Sequence, residues 1–391
     1  MEKRVKSQHT ASLLFAVTAV FWCSQYSYTP YVNPELAKMG MSAAFMGLVS
    51  SAYGLTQTLL RLPQGMAAYR IGRQKPFVLI GSLFTAISAA VMLLFYSPAG
   101  FFAGRALAGV SSASWVSFSV LYGSYYTFEE APRRISQLNF ANMLGRLVGF
   151  VLILLIVPMF GVKSAFIFSL LVGSTAFLMA FRLREAPRVR QTLCKKDLAK
   201  IARDPYLRVC SFLGILSQII SFGTYYTFTV NAAAALGAAS ADLSLLSIFM
   251  IIPNLLTNYA ATMYLMKKIS ARWLVAAGFL VSCLYCILVP LARNMTALYA
   301  CQVLAGISAA LTFAILMGQC VRDIPQERRA VAMGMFQSLY GIGMTVGPLI
   351  VGMVIDASSL KTAYFAVAAL AAVSTLLSYR MMDIRPPQTS Q

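Results

Sequence analysis

Twelve apolar runs, most of them near 20 residues long, follow one another from Ala11 towards the C-terminus, separated by short polar or basic clusters. A helix rises about 1.5 Å per residue and a hydrocarbon core is about 30 Å thick, so each run has the length that a membrane crossing needs. The spans read as 11 to 33, 43 to 68, 76 to 96, 99 to 126, 137 to 160, 164 to 181, 208 to 232, 242 to 266, 273 to 292, 296 to 320, 330 to 355 and 361 to 379. With 59% of 391 residues apolar and 11% charged, the chain lacks the polar residues that an ordinary water-facing surface requires. The first run is too long, and too poor in a small-residue cleavage site, for a removable signal peptide, so it reads as a genuine span.

A net charge of +20 would point to nucleic acid in a soluble protein, but here its placement decides the reading. With loops assigned alternately to the two sides, 25 of the 32 basic residues fall on one side; Lys38, Lys163, Arg293 and Lys361 fall on the other. The remaining three lie inside spans. Positive loops stay cytoplasmic, so the expectation is a multi-pass protein of the cell inner membrane with both termini in the cytoplasm and no nucleic-acid partner.

An internal repeat organises the spans. The stretch from Phe101 to Phe118 aligns with Leu298 to Phe313, placing Ala108 and Gly109 on Ala305 and Gly306 at an offset of 197, and Arg105 on Gln302. Arg133 and Arg134 match Arg328 and Arg329, and the segment from Lys163 matches that from Lys361. Two six-helix bundles, 11–182 and 208–379, are therefore expected, with tails 1–10 and 380–391 and a basic linker 183–207. That linker reads either as an amphipathic helix on the anionic leaflet or as a solvated tether. Parallel repeats of this kind place substrate near the bilayer midplane, between the halves.

The seven cysteines fall in spans or in the linker and read as packing residues. Cys283 and Cys286 have a metal-like spacing. In an apolar helix of a chain whose one histidine is His9, they make a poor site, so neither metal nor cofactor is expected.

Between spans 2 and 3, Gly65, Arg70, Gly72, Arg73 and Lys75 follow a spacing similar to the cytoplasmic signature G-x-x-x-D-R-x-G-R-[RK] of the major facilitator superfamily, with Tyr69 in place of the aspartate. Glycines permit a tight turn there, and arginines anchor it to headgroups and helix-end carbonyls. Further resemblances are Arg105 and Gly109 in span 4, Pro30 and Pro34 in span 1, and Gly343, Gly347, Pro348 and Gly352 in span 11, where small residues allow close helix contact and the proline a bend. The chain thus resembles that superfamily across both halves. The resemblance implies an all-α fold of two pseudo-symmetric bundles, a gating role for Gly65, Arg70, Gly72, Arg73, Arg61, Gly347 and Pro348, and a latch weakened at Tyr69. It also implies that spans 1, 2, 4, 5, 7, 8, 10 and 11 line a central cavity. In span 5 the drug antiporters of the family usually have Gly-Pro; here Gly145 precedes Arg146.

Arg61, Arg105 and Arg146 lie inside spans 2, 4 and 5, where a guanidinium costs about 2.5–3.5 kcal/mol even on insertion scales, so each needs a reason to be there. Arg61, about two turns from the cytoplasmic end of its span, is read as snorkelling or bracing carbonyls. Arg105 is open between a gating and a binding role. Helical spacing places Asn139, Asn142 and Arg146 on one face, Gln218, Ser221 and Tyr225 on another, Asn254 with Asn258, and Trp22 with Tyr26 beside Gln25. The candidate substrate contacts are Arg146, Asn142, Arg105, Gln25, Tyr26, Gln218, Tyr225, Asn254 and Gln302.

All twelve acids read as loop, tail or helix-end residues, with Glu35 near the outer mouth as the remaining candidate for a proton site. A pocket for an organic cation would want a carboxylate at depth, whereas a guanidinium suits a carboxylate or phosphate. The expected function is secondary transport of a small organic anion or zwitterion by alternating access through a central cavity, with efflux of amphipathic drug-like compounds as the alternative. A monomer in the phospholipid bilayer is expected, with the coupling ion or counter-substrate left open. No paired carboxylates, metal cluster or nucleophile with its base occurs at depth, which argues against an enzyme.

Overall fold

The computed structural model describes residues 2–126, 130–185, 201–324 and 329–383, and among these every regular element is helical. Nine of the described helices are individually long and apolar enough to cross a membrane. Spans 2, 3, 5, 6, 9, 11 and 12 centre on the helices Ala43–Ile71, Lys75–Leu94, Ala131–Phe160, Lys163–Phe181, Ala271–Leu288, Arg329–Ala357 and Leu360–Met381. Span 8 is Ser240–Ala260, continued by a π-helical turn, Ala261–Leu265.

The other spans are broken. Span 1 consists of Glu2–Ser27 and Thr29–Lys38, span 4 of Pro98–Ala113 and Trp115–Gly123, and span 7 of Pro205–Gly223 and Thr229–Ala235. In span 10, Met295–Ala309 passes through a π-helical turn, Ala310–Ala314, into Ile315–Gln319. Span 1 thus runs past residue 33 to Lys38, span 4 ends at Gly123, and span 7 is not one continuous helix, all three departing from the hydropathy reading. Hydropathy sees the apolar run but not the backbone dihedrals inside it. Thr224, for example, leaves the helical region at φ −125°, ψ −88°. The breaks obey the repeat: Tyr28 and Thr224 lie 196 residues apart, as do Ser114 and Ala310.

Local sequence sets several of the helix starts. Ser97, Asp204, Asn294 and Ser359 each accept a bond from the backbone N–H three residues on, satisfying a donor that the first turn leaves open. Pro98 and Pro205 follow two of these caps, where a missing N–H costs nothing.

Packing reverses the habit of soluble proteins. Large apolar side chains stand exposed, such as Met159 at 75% and Leu376 at 67%, while hydroxyls fill the interior. Ser24 meets Ser169, Thr85 meets Ser111, and Ser282 meets Ser308. Small residues permit close helix approach and hydroxyls satisfy one another across it, the chemistry that holds helices together in lipid.

The chain divides into two units by contact. Unit 1 comprises Met1–Met41, Leu55–Thr192 and Ala238–Ile248; unit 2 comprises Ser42–Gly54, Leu193–Gly237 and Phe249–Gln391. The division follows the two sequence halves except for the first turns of spans 2 and 8. Within unit 1, span 1 packs on spans 5 and 6, and span 3 on spans 4 and 6. Within unit 2, span 7 packs on span 11, and span 9 on spans 10 and 12.

Backbone contact at glycine sets the two tightest of these packings. A Cβ on Gly145 would stand 2.0 Å from the Ala19 carbonyl oxygen, and one on Gly149 would stand 2.9 Å from that of Cys23, so span 5 lies directly against span 1. Gly343 and Gly347 hold span 11 against Ile215 and Ile219 of span 7 in the same way. Each pair of equivalents is 198 residues apart.

Candidate functional site

With Gly145 and Gly149 turned to span 1, the residue after Gly145 lies about 100° round the helix and flanks that interface. Arg146 places its guanidinium 4.0 Å from the centroid of the Tyr26 ring, so spans 1 and 5 hold a fixed cation over an aromatic face. Behind Tyr26 the rings continue: Trp22 lies 5.7 Å away, Trp115 of span 4 is 5.5 Å beyond it, and Phe150 presents an edge at 6.4 Å. Trp22 and Trp115 are buried, whereas Tyr26 and Arg146 are partly open.

The other unit 1 candidates divide. Gln25 is buried, and its Nε2 donates to the Ala108 carbonyl at 2.8 Å and accepts no other role, its second donor bond going to Ser112 Oγ at 2.9 Å. It ties span 1 to span 4. Asn142 and Arg105 are partly buried on spans 5 and 4. Arg61 is 3% exposed, so its head does not reach the aqueous surface and the snorkelling reading is corrected to a buried one. Glu35, read as a helix-end residue, is 8% exposed in the last turn of the helix Thr29–Lys38. It accepts from Lys38 Nζ at 2.7 Å and from the Tyr96 hydroxyl at 2.6 Å.

In unit 2, Tyr225 and Ser221 bond to each other although the helix ends at Gly223 between them. Gln218 is buried on span 7 beside Gly343. Asn254 donates to the Gly306 carbonyl at 3.2 Å and accepts from Asn258 at 3.1 Å. Gln302 is buried on span 10. The repeat adds an asymmetry: the positions equivalent to Arg61, Arg105 and Arg146 are Asn258, Gln302 and Met344, at offsets of 197, 197 and 198. Every intramembrane guanidinium belongs to the first half, and its counterpart in the second is uncharged.

At the cytoplasmic signature, Gly72 has φ +72° and makes the turn out of span 2, flanked by exposed Arg70 and Arg73. Gly65 does not turn: it lies inside the helix Ala43–Ile71 with open space where a Cβ would stand, which corrects its assignment to the loop. A surface cleft of 430 Å³ beside Arg70 is lined by Pro63, Met66 and Ala67 and contains none of the intramembrane arginines. The Tyr69 side chain and the linker segment 186–200 lie outside the described residues. Gly347 and Pro348 sit in span 11, where Gly347 meets Ile219 and the Pro348 carbonyl faces Gly47 of span 2.

Residues that the sequence reading passed over are Trp115 and Phe150, which complete the ring cluster, and two helix-capping acids. Glu185 accepts from the backbone N–H of Gln74 at 2.6 Å and Lys75 at 2.8 Å, at the start of span 3. Asp356 does the same for Ala43 and Ala44 at the start of span 2, at 2.8 Å each. One signal was available: Glu185 is 198 residues before Asp383, which pairs with Arg272 at the start of span 9.

The family model of the Major Facilitator Superfamily matches residues 14–233 and 210–391. The chain belongs to this superfamily. The uncharacterized transporter MJ1560 of the same superfamily, from Methanocaldococcus jannaschii, is 23% identical over 88% of this chain and 91% of its own length. The staphylopine export protein of Staphylococcus aureus is 22% identical over 96% of this chain and 97% of its own. Among solved structures, a variant of the nucleoside transporter NupG has a similar fold, with a TM-score of 0.78 at 15% identity, covering 96% of this chain and all of that one. The superfamily consists of membrane transporters, so this protein is a multi-pass membrane transporter.

Proposed function

We propose that the protein is an exporter of a small organic anion or zwitterion, working by alternating access between its two bundles. The observation that carries this reading is Arg146, a guanidinium held over Tyr26 in the interior of a span and partly open. A cation kept at membrane depth against its desolvation cost is accounted for when a carboxylate or phosphate of the cargo pairs with it. The one buried acid among the described residues, Glu35, is already engaged by Lys38 and Tyr96. Asn142, Arg105 and Tyr26 accompany Arg146 as contacts from the first half, and Gln218, Tyr225, Asn254 and Gln302 supply neutral polar contacts from the second. Gln25 contributes through its carbonyl oxygen, because its amide nitrogen is engaged. The outward direction is supported by the name of the staphylopine export protein, which the chain matches over nearly its full length.

The same proposal places the protein in the cell inner membrane as a monomer, with both termini cytoplasmic, bundles 11–182 and 208–379, and gating by Gly72, Arg70 and Arg73 at the cytoplasmic turn with Arg61, Gly347 and Pro348 within the spans. Gly65 acts there as an uncrowded helix position and not as a hinge. Efflux of amphipathic drug-like compounds is the second reading, favoured by the rings around Tyr26.

Counterflow in proteoliposomes against matched anionic, zwitterionic and cationic metabolites tests it. Exchange of anions or zwitterions is expected, falling at least tenfold in Arg146→Gln. Exchange of cations alone, indifferent to that substitution, would overturn the anion reading in favour of the drug-like one.

A further inference from the structure

Two polar atoms on the stretch of span 1 that carries Tyr26 are left over by the packing of unit 1. The Nε1–H of Trp22, a residue 5% exposed, has no hydrogen-bond partner, and neither has the Oε1 of buried Gln25. A buried donor and a buried acceptor in this state are costly, and native proteins retain few of them. Residues 22, 25 and 26 follow the i, i+3, i+4 spacing of one helix face, so donor, acceptor and the Tyr26 ring stand together on span 1. Tyr26 is the partly open end of a run of rings whose buried end is Trp22 and Trp115.

A simple aliphatic anion would use the guanidinium and leave the rings, the donor and the acceptor without purpose. A flat conjugated ring uses all of them: its face packs on Tyr26, a ring heteroatom accepts from Trp22, and a ring N–H or O–H donates to Gln25. We propose that the ligand carries a planar conjugated ring beside its anionic group, in the chemical class of heteroaromatic and phenolic carboxylates. The inference rests on the anion reading above and names the class of compound that the same site takes.

Trp273 of span 9 is exposed and lies in unit 2, tilted against Tyr379, so Trp273→Phe leaves Trp22 and Trp115 as the emitting tryptophans. The full-length Trp273→Phe protein is titrated with nicotinate, benzoate, cyclohexanecarboxylate and nicotinamide, following tryptophan emission and, in parallel, thermal stabilisation. Nicotinate and benzoate are expected to bind at least tenfold more tightly than the saturated carboxylate, and nicotinate to shift the emission. Tyr26→Leu is expected to remove most of the preference for rings over cyclohexanecarboxylate. Trp22→Phe keeps a ring but not the N–H and is expected to weaken nicotinate about tenfold more than benzoate. Equal binding of benzoate and cyclohexanecarboxylate, unmoved by Tyr26→Leu, overturns the ring inference and leaves the anion reading standing. Binding of uncharged nicotinamide as tight as nicotinate overturns the anion reading itself. Failure of both ring carboxylates to bind overturns the inference.

Discussion

Gly145 and Arg146 show how much two adjacent residues settle. The glycine is required because any side chain would meet the Ala19 carbonyl, and by bringing span 5 that close it delivers the neighbouring guanidinium to Tyr26. Gly145→Ala is therefore expected to destabilise the protein by about 1–3 kcal/mol through overpacking, read as a lower melting temperature in detergent. Gly65→Ala should do the reverse, gaining roughly 0.5–1 kcal/mol, because it sits in a helix with nothing near the new methyl group. Both glycines look alike in the sequence, and only their neighbours separate them. Arg146 was legible as costly in its span from its charge alone, but its ring partner was not, since residues 26 and 146 lie far apart in the chain. Gln25 was read as a binding residue because an amide in an apolar run attracts attention. Packing has assigned half of it to holding span 4.

Among the elements, the starts of spans 2 and 3 are capped by acids from distant segments, at span 2 in addition to Ser42, whose hydroxyl accepts from the Phe45 N–H at 3.3 Å. Asp356 and Glu185 each offer two carboxylate oxygens to two backbone N–H groups, placing an acid at the positive end of each helix. Glu185→Ala is expected to speed amide exchange at Gln74 and Lys75 by about tenfold, as loss of a cap worth about 1 kcal/mol or somewhat more would do. Asp356→Ala should do the same at Ala43 and Ala44, with exchange elsewhere in spans 2 and 3 unchanged. Uniform acceleration along the helices would show that the acids stabilise the fold generally and do not act as caps. The breaks in spans 1, 4, 7 and 10 belong to this scale too. They escaped the hydropathy pattern because residues such as Thr224 and Ser114 are ordinary in composition, and a kink of a few dihedrals leaves the apolar run intact.

At the level of the whole molecule, the even number of spans and the basic residues on one side make a single prediction about topology. Single cysteines at Lys3 and Arg385, in a background with the native cysteines replaced, should both react with a membrane-impermeant maleimide in inside-out vesicles and both be protected in right-side-out vesicles. Labelling of the two from opposite sides would require an odd number of crossings and contradict the paired bundles. The repeat also carries a meaning for function: half of the molecule holds all three intramembrane guanidinium groups, while the equivalent positions in the other half are Asn258, Gln302 and Met344. The two bundles share the repeat but differ in the charge they carry inside the membrane.

Hydrophobic length was enough to determine an all-helical membrane protein, because lipid imposes that constraint on composition directly, and the spacing of Gly65, Arg70, Gly72, Arg73 and Lys75 was enough to point to the family. Which glycines touch a neighbouring backbone, where helices break, which acid caps which helix and which rings surround Arg146 were decided by the tertiary structure. Those outcomes depend on pairs of residues far apart in the chain and on distances of a few ångströms between them, and a one-dimensional pattern of apolar and polar residues carries neither.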